Sequence, residues 1–94
     1  MEKNDQLLMQ LIYMFHTSAM QGLGKIADPT GKVSRNLEYV SQTIDLMEML
    51  KVKTKGNITD EIVKVLDEML SELNINYLNE KAKSVDIVGN ETIK

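Results

Sequence analysis

From Gln6 through Gly24 the chain carries no Asp, Glu, Lys or Arg. At about 100° per residue, Leu7, Leu8, Met9, Leu11, Ile12, Tyr13, Met14, Phe15, Ala19, Met20 and Leu23 spread over most of a helix circumference. Gln6, Gln10, Thr17 and Gln21 form the thin polar remainder. A helix that is apolar nearly all round must be buried nearly all round. The whole chain is 94 residues, and a domain of that size buries only about 60 to 65% of the surface its unfolded form exposes. Two further helices can cover one side of such a segment. Each apolar side chain left uncovered would gain roughly 1.5 to 3 kcal/mol by burial elsewhere, so a second copy of the chain is the expected cover.

Other devices that stabilise small folds are missing. There is no Cys to form a disulfide, and His16 is the single histidine, too few nitrogen ligands for a structural zinc. The interface predicted for a homodimer is Leu8, Met9, Ile12, Phe15, His16, Ala19 and Met20.

The only proline, Pro29, stands in Ala27-Asp28-Pro29-Thr30-Gly31-Lys32, a combination that makes a loop. A second break falls at Lys55-Gly56-Asn57-Ile58-Thr59. Here Gly56 is placed to follow a helix C-terminus and Thr59 to cap the next helix, with Asp60 and Glu61 in its first turn. Two breaks divide the chain into three helices, predicted at about 5–24, 33–55 and 59–79. In the second, Val33, Leu37, Val40, Ile44 and Met47 form a stripe flanked by Tyr39, Leu46 and Leu50, and Ser34 is a plausible N-cap. In the third, Ile62, Leu66, Met69, Leu70, Leu73 and Tyr77 recur at three- and four-residue spacing. Helices two and three should pack as an antiparallel hairpin. Beyond Asn79 the pattern stops, and Val85-Asp86-Ile87-Val88 would have no strand to pair with. The expected organisation is therefore one all-α domain over 1–80 and a polar, flexible tail over 81–94.

Composition argues several functions down. A net charge of -3 does not suit a protein that neutralises phosphates, so no nucleic-acid partner is expected. Lys51, Lys53 and Lys55 complement the negative end of a helix dipole. The start, Met1-Glu2-Lys3-Asn4-Asp5, lacks the positive character of a secretory signal, and the absence of Cys fits a reducing compartment, so a cytoplasmic location is expected. Residues 6–24 are long enough to raise a membrane span, but Gln6, Gln10, His16, Thr17, Ser18 and Gln21 make insertion costly. Adsorption to a membrane surface is a minor alternative, because interfacial helices carry Lys or Arg where this one carries Gln.

His16 is the natural general-base candidate. Adjacent residues on a helix point about 100° apart, so its neighbours Thr17 and Ser18 cannot pair with it, and any catalytic partner must come from another helix or subunit. Asp45, Glu48, Asp67, Glu68 and Glu72 read as a solvated face, without the Glu-x-x-His pairs of a di-iron bundle. Gly22-Leu23-Gly24-Lys25 follows a helix instead of a strand and lacks the spacing of a phosphate loop. The seven Met residues could form an adaptable groove, but at helical spacing they read as core. No cofactor or metal is expected.

Two stretches resemble a known bacterial family. One runs from Thr17 to Gly31 through Asp28-Pro29-Thr30-Gly31 and continues at Asn36-Leu37-Glu38. The other runs from Ile44 through Lys53-Thr54-Lys55-Gly56-Asn57 to Thr59, followed by Leu66 to Leu73. Over roughly 8–78 the chain is similar to the small helical proteins catalogued as domain of unknown function eighteen forty-four. That resemblance implies a helical fold and brings no activity, cofactor or catalytic residue. The function expected from the residues themselves is a non-catalytic, self-associating interaction module, with an unknown protein as a possible further partner. The alternatives are a small enzyme or ligand-binding protein with a site between subunits near His16, and a membrane-surface protein acting through helix one.

Overall fold

A computed structural model describes residues 2–93, with side chains through Lys83. It contains three helices, α1 (Lys3–Gly22), α2 (Leu37–Lys53) and α3 (Asp60–Ile93). Among the described residues there is no strand.

α1 is ended by backbone geometry that glycine permits. Gly24 adopts φ 78°, and the amides of Gly24 and Lys25 reach back to the carbonyls of Gln21 and Met20 at 3.0 Å each. This paired return satisfies carbonyls that the helix end would otherwise orphan. The following loop is held by Asp28, whose Oδ1 accepts from Thr30 N (2.9 Å), Thr30 Oγ1 (2.6 Å) and Lys32 N (3.0 Å).

α2 starts later than the expected residue 33. Residues 32–36 are not helical, and the cap is Asn36, whose Oδ1 accepts from Tyr39 N at 3.1 Å. Asn36 caps as well as Ser34 would, and its own amide donates to Gly22 O at 2.8 Å, which ties the start of α2 to the end of α1. Val33 is left exposed outside the stripe assigned to it. α2 ends at Lys53, with Thr54 Oγ1 donating to Leu50 O at 2.6 Å. Gly56 takes the left-handed turn that follows, at φ 85°. Thr59 caps α3 as predicted, accepting from Ile62 N at 3.3 Å.

α3 does not end near residue 79 but runs through Ile93. The expected end rested on the loss of apolar residues, and the stripe is in fact continued by an acid, Glu80, for which partners exist. The predicted flexibility of 81–94 falls largely on side chains outside the described residues.

Ion pairs and close contacts fix the topology. Gly22, ending α1, lies against Val40 near the start of α2, so these two helices are antiparallel. Lys51 near the end of α2 pairs with Asp67 near the start of α3 at 2.6 Å, which gives the antiparallel hairpin. His16 pairs with Glu72, and Lys25 with Glu80, so α1 and α3 run in the same direction. The shared core is Ile12, Ala19 and Leu23 from α1, Val40, Ile44 and Met47 from α2, and Ile62, Leu66, Leu70 and Leu73 from α3.

Candidate functional site

The core claims only one side of α1. Ile12 and Ala19 are fully buried against α2 and α3, and Leu8, Met9, Phe15 and Met20 pack partly onto the same core. His16 is half-buried beside them. Most of the predicted interface residues thus point inward, and Ile12 and Ala19 in particular offer nothing to a partner. The sequence could not settle which side of so uniform a helix would be claimed, because apolar residues lie on all of them.

The opposite side is open. Leu7 is 52% and Met14 59% accessible, and Leu11 and Tyr13 are exposed between them. A shallow groove of about 720 Å³ runs along this side, lined by Gln6, Met9, Gln10, Tyr13, Met14, Thr17, Ser18, Gln21 and, from the loop, Pro29. Gln21 Nε2 donates to Ala27 O at 3.4 Å, which helps seat the loop at that end. None of the lining residues is charged. The groove can therefore take up uncharged, amphipathic surface through Met and Tyr packing and amide hydrogen bonds.

His16 Nε2 lies 3.1 Å from Glu72 Oε1. The carboxylate comes from α3 and not from Asp45, which is exposed on α2. The pair links α1 to α3 near the surface, with Glu72 half exposed. Thr17 is exposed and lies about 100° around the helix from His16, so it does not complete a nucleophile and base. Among the described residues no group of three metal-binding side chains comes together, and no helix is long and apolar enough to cross a membrane.

A feature not expected from the sequence is Glu80, 7% exposed. Its Oε2 accepts from Lys83 Nζ at 2.9 Å and from Lys25 Nζ at 3.5 Å, and its Oε1 from Arg35 NH1 at 3.2 Å. Hydrogen bonds from Lys83 and Arg35, against some cost of burial, hold its carboxyl down to about 2. The cluster fastens the Lys25–Arg35 loop to α3 and so supports the loop that carries Pro29. One signal was present in the sequence: Glu80 falls three residues after Tyr77, on the apolar stripe of α3, where an acid must be paired to be tolerated.

These features define a small all-α protein of three helices with an uncharged groove on its first. A family model described as domain of unknown function (DUF1844) matches residues 6–79, and the chain belongs to that family. No curated protein and no solved structure matches it.

Proposed function

We propose that this protein is a non-catalytic assembly module that self-associates through the outer face of α1, most simply as a homodimer in the cytoplasm. The observation that carries this reading is the exposure of Leu7, Leu11, Tyr13 and Met14 on a face without any charged residue. A soluble monomer gains nothing by displaying such a face, whereas a partner surface recovers the burial energy of each side chain. The absence of Cys supports the cytoplasmic placement.

The reading moves the interface outward from Ile12 and Ala19 to Leu7, Leu11, Tyr13 and Met14. The test follows that shift. Sedimentation equilibrium at micromolar concentration should give a dimer for the native chain, and Met14→Glu should weaken it without loss of helical signal, because Met14 takes no part in the core. A native chain that stays monomeric and binds no hydrophobic dye would remove the basis for the proposal.

A further inference from the structure

We propose that Lys25, Arg35 and Lys83 form a binding site for a doubly charged oxyanion, a phosphate monoester by class, where the loop between α1 and α2 meets α3. None of the three lines the groove of α1, and the site does not depend on self-association.

The fold brings these cations together from distant parts of the chain. Lys25 stands at the start of the loop and Arg35 at its end, and the two legs of the loop run side by side. Asp28 N donates to Lys32 O at 2.9 Å, and a Cβ on Gly24 would lie 3.5 Å from Ser34 O and 3.9 Å from Arg35 Cβ. Lys83 comes from α3, one turn beyond Glu80. All three converge on the Glu80 carboxylate. Lys83 Nζ lies 2.9 Å and Lys25 Nζ 3.5 Å from its Oε2, so both ammonium groups surround one oxygen. Arg35 donates to Oε1 at 3.2 Å and to the Glu80 carbonyl at 3.5 Å.

Charge and distance select the ligand. A buried carboxylate must be paired, and charge-assisted hydrogen bonds from nitrogen are ordinarily about 2.7 to 2.9 Å long. Lys83 meets that length, while Lys25 and Arg35 stand further off. Three cations on one acid leave two positive charges in excess among the described side chains, on a chain whose net charge is -3. Lys32 and Lys81 add two cations to the neighbourhood and Asp28 and Glu38 add two acids, so the excess stands. The cluster is also open on its outer side. The side chains of Lys25, Arg35 and Lys83 keep 37%, 36% and 62% of their surface, against 9% for Glu80. A ligand can therefore reach the cations without displacing Glu80. An ammonium group carries three donors, so Lys25 and Lys83 can each serve Glu80 and a ligand at once. Two excess positive charges match a dianion, and a tetrahedral oxyanion turns acceptor oxygens towards donors on different sides. A phosphate monoester has that charge at neutral pH, its second pKa being about 6. Chloride or a single carboxylate would leave one charge unmatched.

The experiment titrates the full chain with sodium phosphate at constant ionic strength and follows its amide signals by nuclear magnetic resonance at about pH 7.5 and about pH 5.5, on either side of the phosphate pKa. Shifts at Gly24, Lys25, Arg35 and Lys83 should saturate at the higher pH. Affinity should fall at least about threefold at the lower pH, where phosphate is mostly a monoanion, while sulfate, a dianion at both, should bind equally at both. Lys25→Gln should weaken phosphate at least about tenfold with unchanged far-ultraviolet circular dichroism. Lys83→Gln serves in its place if that variant loses helicity. Lys55→Gln, just beyond the far end of α2, should bind as the native chain does. Shifts that grow without saturating, or an equal loss in Lys55→Gln, overturn the site, and equal phosphate affinity at the two pH values overturns the dianion. Flotation with phosphatidylcholine vesicles, with and without phosphatidic acid, identifies the carrier. Saturation together with flotation on phosphatidic acid puts the monoester on a lipid headgroup, and saturation alone puts it on a soluble molecule. Flotation without saturation overturns the site in favour of general attraction to a charged bilayer.

Discussion

At Glu80 the energetics of a single side chain have a measurable sign. Its folded carboxyl is depressed from an ordinary value of 4.5 to about 2. The stabilisation it provides is therefore complete above about pH 4.5 and is lost as pH falls from there towards 2. Acid titration of stability should steepen in that window, and Glu80→Gln should flatten it. Asp28, also held low, chiefly by the Thr30 hydroxyl and the Lys32 amide, would supply the residual slope. Urea midpoints measured between pH 5 and about pH 2.5 decide the matter, and an unchanged slope in Glu80→Gln would remove Glu80 as its source. Gly22 is a second site where one atom matters. An alanine there improves helix propensity by about 0.5 to 1 kcal/mol, but its Cβ meets Val40 Cγ2 at 2.7 Å, on a β-branched, fully buried side chain that cannot swing away. Overpacking costs of about 1 to 3 kcal/mol outweigh the gain, so Gly22→Ala should lower the urea midpoint.

At the scale of elements, α1 divides into two halves that mutation should separate. Ile12→Ala opens a cavity in the shared core and should cost about 2 to 5 kcal/mol of stability, whatever the protein concentration. Met14→Ala removes a side chain that is 59% exposed and outside the core, and should change the stability of the dilute, monomeric chain by no more than about 0.5 kcal/mol. Thermal unfolding at low concentration distinguishes them, and equal losses would mean that the outer face is held within the monomer. The two faces also mark where the sequence was legible. α3 could be read because its apolar residues keep one period and its opposite side is charged, and Thr59 announced its start. The start of α2 was misplaced because Ser34 and Asn36 are equivalent caps on paper, and the choice was made by a backbone bond from Asn36 to Gly22 that no local pattern contains. For α1 the need for cover was legible and its direction was not, since a helix apolar on every side carries no phase information. The Glu80 cluster was missed for a different reason. Lys25 and Arg35 stand 55 and 45 residues away from it in the chain and meet it only once the three helices are assembled.

At the scale of the whole molecule, assembly through an uncharged face makes stability depend on concentration and hardly at all on salt. If folding and dimerisation are coupled, each tenfold rise in protein concentration adds about 1.4 kcal/mol per dimer, or about half that per chain. For a domain of this size the melting temperature should then rise by roughly 3 to 5 °C per decade. Salt discriminates the source of the attraction. An interface built on ion pairs weakens as ionic strength rises from about 50 mM to about 500 mM, because the Debye length shrinks from more than 10 Å to less than 5 Å. Here the outer face of α1 contributes no charge from Gln6 through Gly24, while each chain carries a net -3. Added sodium chloride should therefore leave the dissociation constant unchanged or tighten it slightly by screening repulsion between the two copies. Calorimetric scans over two decades of concentration, paired with sedimentation at both salt levels, measure the two dependences independently. A concentration-dependent melting point that collapses in high salt would mean that a charged surface joins the copies instead of the outer face of α1.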